Sequence, residues 1–148
     1  MMKFATFALL STLVLSGQAM TVANVNLSDE LEPINGTPNL KLNGAALREL
    51  YLLIETYVGA LYLETPSQDP QVIINSQQHK RMEFHVLMKK VSARRLSNAL
   101  HEALLLNISE LEHKQLQSEI DTMLNFFDGN LRAGDKVIFQ YLPGKGTQ

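Results

Sequence analysis

Hydrophobic and polar residues alternate between Lys80 and Met88, and this spacing predicts a half-buried β-strand. The apolar residues would face the core, and the charged residues would mainly face solvent. The predicted core face carries Met82, Phe84, Val86 and Met88, and the predicted solvent face carries Arg81, Glu83, His85 and Lys89.

Two amphipathic helices are predicted between residues 92 and 127. Ser92 is a good N-cap for the first helix, because its hydroxyl can accept a bond from a free backbone N–H. Apolar residues recur every three or four positions along one face of that helix, at Leu96, Ala99, Leu100, Ala103 and Leu104. Ser109 and Glu112 have the spacing of a capping box at the start of the second helix. A shorter helix is predicted from Asp69-Pro70 to Asn75.

The most apolar run of the mature chain, residues 44–64, is locally ambiguous. Its first half is rich in helix-forming Ala and Leu, whereas Ile54, Tyr57 and Val58 favour a strand. We interpret the run as two strands with an irregular junction near Glu55–Thr56. A short strand, Leu40–Leu42, would precede it and end in an Asn43-Gly44 turn.

Together with a last strand at Val137–Leu142, these elements predict an α+β fold: a twisted antiparallel sheet covered on one face by helices, an open-faced β-sandwich. Residues 20–39 are rich in turn formers and predict a flexible N-terminal arm before a domain at 40–148. The last strand is followed by a turn and little else. We therefore expect a domain that is incomplete at the C-terminus, with Val137–Leu142 left as an exposed edge.

Residues 1–19 have the pattern of a secretory signal peptide. Lys3 provides a positive start, the apolar stretch Phe4–Leu15 is short for crossing a bilayer, and Gly17 and Ala19 are the small residues before a cleavage site. Cleavage after Ala23 and an uncleaved membrane anchor are the alternatives. We expect export to the periplasm and no stable membrane anchor after cleavage.

Composition and motifs exclude several classes of function. The formal net charge of −2 leaves no basic footprint for nucleic acid. The absence of cysteine excludes thiolate chemistry and cysteine-ligated metals. The four histidines are scattered singly, and Leu105 stands where a zinc motif starting at His101-Glu102 needs a second histidine. We therefore expect no metal site and no cofactor.

The remaining candidate chemistry lies in the central run, at Arg48 and the tyrosines Tyr51, Tyr57 and Tyr62. A guanidinium binds a carboxylate through two parallel hydrogen bonds and stays charged when partly buried. A tyrosine adds a directional hydroxyl to an apolar wall. These residues would suit a pocket for an apolar molecule with an anionic or carbonyl end, or simply a core with Arg48 at its rim.

Five stretches resemble, in their order and spacing, the bacterial chalcone-isomerase-like family of exported proteins. They are residues 42–48, 56–63, 89–94, 99–104, and a last stretch made of 126–127, 134–136 and 141–147, and the resemblance spans Leu40 to the end. It implies a twisted antiparallel sheet, a helical layer and an apolar cleft between them, with the central run as strands. In the wider superfamily, plant enzymes cyclise chalcones and other members bind fatty acids without catalysis.

The resemblance also suggests roles for individual residues. Arg48 matches the cleft arginine of the family, and Tyr57 lies near the threonine position of the plant enzymes. Leu96 and Ala103 stand where those enzymes place a catalytic tyrosine and asparagine, so we expect no catalytic residues. Arg48 is one residue farther from Tyr57 than the common spacing, which requires a bulge. The family's C-terminal strand and helix are expected to be missing.

The sequence therefore predicts an exported, non-catalytic protein that binds a fatty-acid-like or other amphipathic small molecule through Arg48 and Tyr57. One alternative is an isomerase acting on an enone or flavonoid-like substrate, with Arg48 as the electrophile. Another is a structural or partner-binding periplasmic protein with a filled core and no ligand.

Overall fold

The computed structural model describes residues 19–33, 36–51, 54–127 and 129–148. The predicted signal peptide lies outside them, apart from Ala19. The strands within these ranges are β1 (Met20–Val22), β2 (Val25–Leu27), β3 (Glu30–Leu31), β4 (Leu40–Leu50), β5 (Ile54–Leu63), β6 (Lys80–Val86), β7 (Val91–Ser92), β8 (Asn130–Leu131), β9 (Lys136–Leu142) and β10 (Gly146–Thr147). The helices are α1 (Pro70–Asn75), α2 (Ala93–Leu105), α3 (Glu110–Gln115) and α4 (Gln117–Asn125).

Six strands form one antiparallel sheet in the order β10-β9-β6-β5-β4-β3. The helical layer, which we define as α2, α3 and α4, lies in the chain between the adjacent strands β6 and β9. Phe127, just after α4, brings it to the sheet, since its ring centroid is 6.2 Å from that of Phe139 on β9. The predicted α+β fold with an antiparallel sheet and helices is confirmed.

The core lies on one face of the sheet, against the β1–β2 hairpin. Val58, Ala60 and Tyr62 of β5 are at most 1% exposed and cluster with Leu27 and Leu40. Burying a side chain of this size contributes about 1.5–3 kcal/mol. Residues 20–31, predicted as part of a flexible arm, thus contain three short strands, because Leu27 supplies a core contact that turn-forming composition does not reveal.

The predicted helix starts are confirmed. Asp69 accepts a hydrogen bond from the Gln71 amide, Ser92 accepts one from the Arg95 amide, and Ser109 and Glu112 form the full capping box. The second predicted helix is instead two helices that meet at Leu116, whose φ of −100° and ψ of 9° interrupt helical geometry.

The central run is two strands, but its boundaries differ from the prediction. The Asn43-Gly44 pair forms no turn, because β4 continues through it to Leu50. The register shifts there, and the Asn43 side chain accepts a hydrogen bond from the Ser67 amide at 2.7 Å. The break between the strands falls after Leu50 instead of near Glu55–Thr56.

The predicted faces of β6 are wrong in one important respect. Glu83, expected in solvent, is 2% exposed, whereas Met82 and Phe84 are only half-buried. The Glu83 carboxylate forms ion pairs with Arg81 at 2.6 Å and Lys136 at 2.9 Å, and it lies 3.1 Å from His85 Nε2. Burying a carboxylate is costly unless it is paired, and these partners are what make its burial possible.

The predicted exposed edge at Val137–Leu142 is partly covered. Strand β10 pairs with Tyr141 and Leu142 of β9, and Gln140 and Gln148 exchange backbone hydrogen bonds of 2.9 and 2.8 Å. The C-terminal half of β9 is therefore an interior strand of the sheet.

His79 precedes β6 and is 3% exposed. Its amide donates to Glu64 Oε1 at 2.7 Å, but both of its ring nitrogens lack a hydrogen-bond partner within the described part of the chain. Burial lowers the pKa of His79, although the charge of Glu64 opposes this effect. Protonating this ring would place a charge where the fold has desolvated it.

The free energy of unfolding should therefore fall in two steps on acidification. Because the pKa of folded His79 lies below 6.5, the unfolded chain takes up its proton first, and stability is lost as the pH drops below that value. Burial by itself would raise the pKa of Glu83, but hydrogen bonding and charge from Lys136 and Arg81 hold it below 4.5. Its contribution is present above pH 4.5 and is lost as the pH falls through the folded pKa.

Glu83→Gln should remove the lower step and cost about 3 kcal/mol at neutral pH, because it leaves Arg81 and Lys136 without their counter-charge. Urea titrations from neutral pH to about pH 3 would measure both effects. Glu102→Gln on exposed α2 is the control. An unchanged acid profile in the Glu83 variant would contradict this assignment.

Candidate functional site

Arg48 and Tyr57 are direct cross-strand partners in the β4–β5 ladder. Side chains alternate across a strand, so this pair lies on the face opposite Val58 and Leu47, which belong to the core. Phe127 reaches the sheet on the same face as Tyr57, so the pair faces the side that carries the helical layer. The structure thus brings together the two residues that the sequence predicts as ligand-binding.

A bulge at Thr56 sets this pairing. The register passes from Arg48↔Tyr57 to Glu49↔Glu55, so Thr56 is the extra residue of β5. Its hydroxyl donates to the Arg48 carbonyl at 2.6 Å, and its own carbonyl accepts the Leu87 amide at 2.9 Å. The side chain is 8% exposed. A bulge between Arg48 and Tyr57, required by their spacing in the sequence, is present.

The tyrosines of the central run separate into three environments. Tyr57 is half-buried on the face that carries the helical layer, Tyr62 is 1% exposed in the core, and Tyr51 is 88% exposed in the turn after β4. Burial, and then the charge of Glu83, raise the pKa of Tyr62 to about 12. Tyr62 is therefore a neutral core residue, and Tyr57 is the tyrosine placed beside Arg48.

An aromatic row extends from Tyr57 across the sheet. The Tyr57 ring meets Phe84 edge to face at a centroid distance of 5.2 Å, and Phe84 meets Phe139 in the same way at 5.9 Å. Phe127 continues the row into the helical layer. Each such ring contact stabilises the fold by about 0.5–1.5 kcal/mol in addition to the burial of apolar surface. The row gives the cleft face an apolar floor with Arg48 at one end.

Exposure increases along this face towards β4. Phe84, Gly59 and Tyr57 are half-buried, and Ala46 and Arg48 are exposed. A Cβ at Gly59 would lie 3.7 Å from Tyr57 Cε2 and 4.0 Å from Phe84, so the glycine leaves a shallow gap beside the row. We define the cleft as this surface between the helical layer and the β4 side of the sheet.

The charge of Arg48 is available to a ligand. The ion pairs found among the described residues all involve Glu83, which lies on the opposite face. Within the same ranges, Arg48 makes no side-chain hydrogen bond. An exposed guanidinium at the end of an apolar row can bind a carboxylate through two parallel bonds.

A separate depression lies at the Arg48 end of the sheet. Its volume is about 700 Å³, and it is lined by Glu49, Ile54, Glu55, Leu87, Met88, Lys89 and Lys90. Arg48 and Tyr57 do not line it. Glu49 and Glu55 are cross-strand partners in the β4–β5 ladder, and Lys89 and Lys90 line the same depression. The depression therefore carries charges of both signs, unlike the apolar cleft.

The sequence did not single out Thr56, Phe84 or Phe139 as parts of the site. Alternation along β6 and β9 did place both phenylalanines in strands, but the cross-strand contacts depend on register. On α2, Leu96 is half-buried, whereas Ala103 is exposed and does not fill the cleft. In the part of the chain described, no three acidic or histidine side chains cluster in a way that could hold a metal ion.

Comparison with known proteins identifies the family. The profile of the chalcone isomerase-like family matches residues 19–148, and the chain belongs to this family. A solved structure with the same fold is the fatty-acid binding protein of Arabidopsis thaliana, with a TM-score of 0.66 and 12% identity over 86% of this chain and 74% of the other. Comparison with curated proteins gives no significant match. The predicted chalcone-isomerase-like membership is confirmed, and the match includes the segment predicted as an N-terminal arm.

Replacing Thr56 by valine should loosen the pairing of Arg48 with Tyr57 and leave no cavity in the core. Valine keeps the shape but leaves the Arg48 carbonyl without its 2.6 Å partner, at a cost of about 1 kcal/mol in unfolding free energy. We expect Arg48 and Tyr57 to lose their fixed pairing. Chemical denaturation and amide exchange at residues 48–57 would measure this, with exposed Thr65→Val as the control. Equal stability and exchange in both variants would show that the bulge does not depend on the hydroxyl.

Proposed function

We propose that this protein is a non-catalytic binder of a fatty-acid-like or other amphipathic carboxylate. The apolar tail would lie along the aromatic row, and Arg48 would pair with the carboxylate. Tyr57 would add a hydrogen bond from its hydroxyl. The observation that carries this proposal is the cross-strand pairing of Arg48 with Tyr57 at the open end of the row.

The two faces of β5 support a cleft over a filled core. The core face is closed, with Val58 and Ala60 fully buried, while Tyr57, Gly59 and Leu61 on the other face keep partial exposure. Apolar rings left half-exposed beside an unpaired guanidinium suit a ligand with both characters. Membership of the chalcone isomerase-like family, and a fold shared with a fatty-acid binding protein, point in the same direction.

Binding is favoured over isomerase chemistry by the residues opposite Arg48. Polarising a ketone and holding a water needs several convergent polar groups in a closed site. Here the neighbours of Tyr57 along the sheet are Phe84 and Phe139, and the Arg48 end is open. These surroundings suit an apolar tail.

Fatty-acid binding should depend on Arg48 through the head group alone. Arg48→Ala should lower the affinity for a long-chain fatty acid about tenfold, which is the effect of losing one charged hydrogen bond. It should leave the affinity for the matching fatty alcohol unchanged. Tyr57→Phe should lower the affinity for the fatty acid about fivefold. Displacement of a fluorescent lipid, together with native mass spectrometry, would measure the affinities. Lys145→Ala, in the exposed β9–β10 turn, is the charge control.

Gly59→Leu tests, in the same assay, whether the apolar tail of the ligand lies along the aromatic row. Its side chain would fill the gap beside Tyr57 and Phe84, so acid and alcohol should both bind more weakly, whereas Gly59→Ala has room and should not change either affinity. Wild-type protein that binds no amphipathic acid would overturn the proposed function. Turnover of an enone lost in Arg48→Ala would replace it with the isomerase alternative.

We also propose export to the periplasm, with removal of residues 1–19. The charged start, apolar stretch and small residues before Ala19 support it. Strand β1 begins at Met20 and pairs with β2, so cleavage after Ala19 would leave the hairpin whole, whereas cleavage after Ala23 would remove β1. Among the described residues, no helix is long and apolar enough to cross a membrane.

The mass of the protein expressed with its full sequence in a bacterium should therefore correspond to a chain beginning at Met20 and recovered from the periplasmic fraction. Ala19→Arg should block processing, because the cleavage site requires a small residue at this position. A full-length chain in the cytoplasm would contradict the proposed export and leave the ligand-binding proposal untouched.

A further inference from the structure

Two histidines that are far apart in sequence meet between α2 and α3. His101 of α2 and His113 of α3 have their Nε2 atoms 3.5 Å apart, with ring centroids 5.7 Å apart and ring planes inclined by 26°. The centroid distance exceeds the nitrogen distance, so each ring turns its Nε2 atom towards the other ring. Both residues are half-buried, so helix packing limits their freedom.

A hydrogen bond accounts poorly for this geometry. Hydrogen bonds from N–H groups are usually about 2.7–3.2 Å long, and 3.5 Å is beyond that range. The distance suits two nitrogens bound to one metal ion. Zinc–nitrogen bonds are about 2.0–2.1 Å, and a tetrahedral angle between two of them places the nitrogens about 3.4 Å apart.

We propose that His101 and His113 form a binding site for a late transition-metal ion, with Zn²⁺ as the probe. Imidazole nitrogens suit Zn²⁺, Ni²⁺ and Cu²⁺, whereas Mg²⁺ and Ca²⁺ prefer oxygen ligands. The described residues hold no third ligand in place, so water completes the coordination. Glu110, three residues before His113, lines a surface depression of about 360 Å³ together with His113 and Lys114.

The ion would join two helices of the helical layer. Helices α2 and α3 are connected by a turn at residues 106–109, and the histidines lie on either side of it. A metal held by both rings binds the folded helical layer and not the unfolded chain. It therefore raises the thermal unfolding temperature in proportion to the logarithm of its concentration.

Calorimetric titration of tag-free protein with Zn²⁺ at about pH 7.5 tests the site. We expect one equivalent to bind, no response to Mg²⁺, and loss of binding in acid because the ligating nitrogens must be deprotonated. His101→Asn and His113→Asn should each lower the affinity at least about tenfold. His85→Asn is the matched control, because His85 contacts Glu83 on the opposite face of the sheet.

Imidazole ¹⁵N shifts in the wild-type protein give a measurement that does not depend on how the variants fold. Zn²⁺ should move the Nε2 resonances of His101 and His113 and leave those of His79 and His85 in place. The proposal is overturned if no saturable binding occurs, if both variants bind like the wild type, or if the shifts fall on the other two rings.

Discussion

The ladder between β4 and β5 is the interaction on which the rest of the structure depends. Its bulged register places Val58, Ala60 and Tyr62 against the β1–β2 hairpin and leaves Tyr57 and Gly59 on the other face. A slip of one residue would exchange these faces. It would expose the buried core residues and move the partner of Arg48 into the interior.

The burial of the Glu83 carboxylate follows from the same division of the sheet into a core face and a cleft face. Glu83 faces the core side of the central strands, opposite Ala60 and beside Tyr62. Its neighbours Arg81 and His85 come from β6 itself and Lys136 from β9, so the cluster links residues that are more than fifty positions apart in sequence. The other face has no such network among the described residues, and Arg48 there keeps its charge for a ligand.

The helical layer meets the sheet through a limited set of contacts, of which Phe127 on Phe139 extends the aromatic row. Within the layer, Ser97 Oγ reaches the Leu124 carbonyl at 3.4 Å, and His101 faces His113. A cover that is held at one side suits a cleft open at the β4 side. A metal between α2 and α3 would stiffen that cover.

The sequence by itself determined the features that depend on neighbours within a few residues. Asp69, Ser92 and Ser109 marked three helix starts. Residue types in the central run indicated Arg48 and three tyrosines, and the family resemblance selected Tyr57 among them. Tertiary structure alone decided which strand faces are buried, where the bulges fall, and which histidines meet. Alternation in β6 predicted Glu83 in solvent, because the charges that compensate its burial include Lys136, which only the pairing of β6 with β9 brings near. Cross-strand register and helix packing join residues distant in the chain, and local patterns carry no information on such distances.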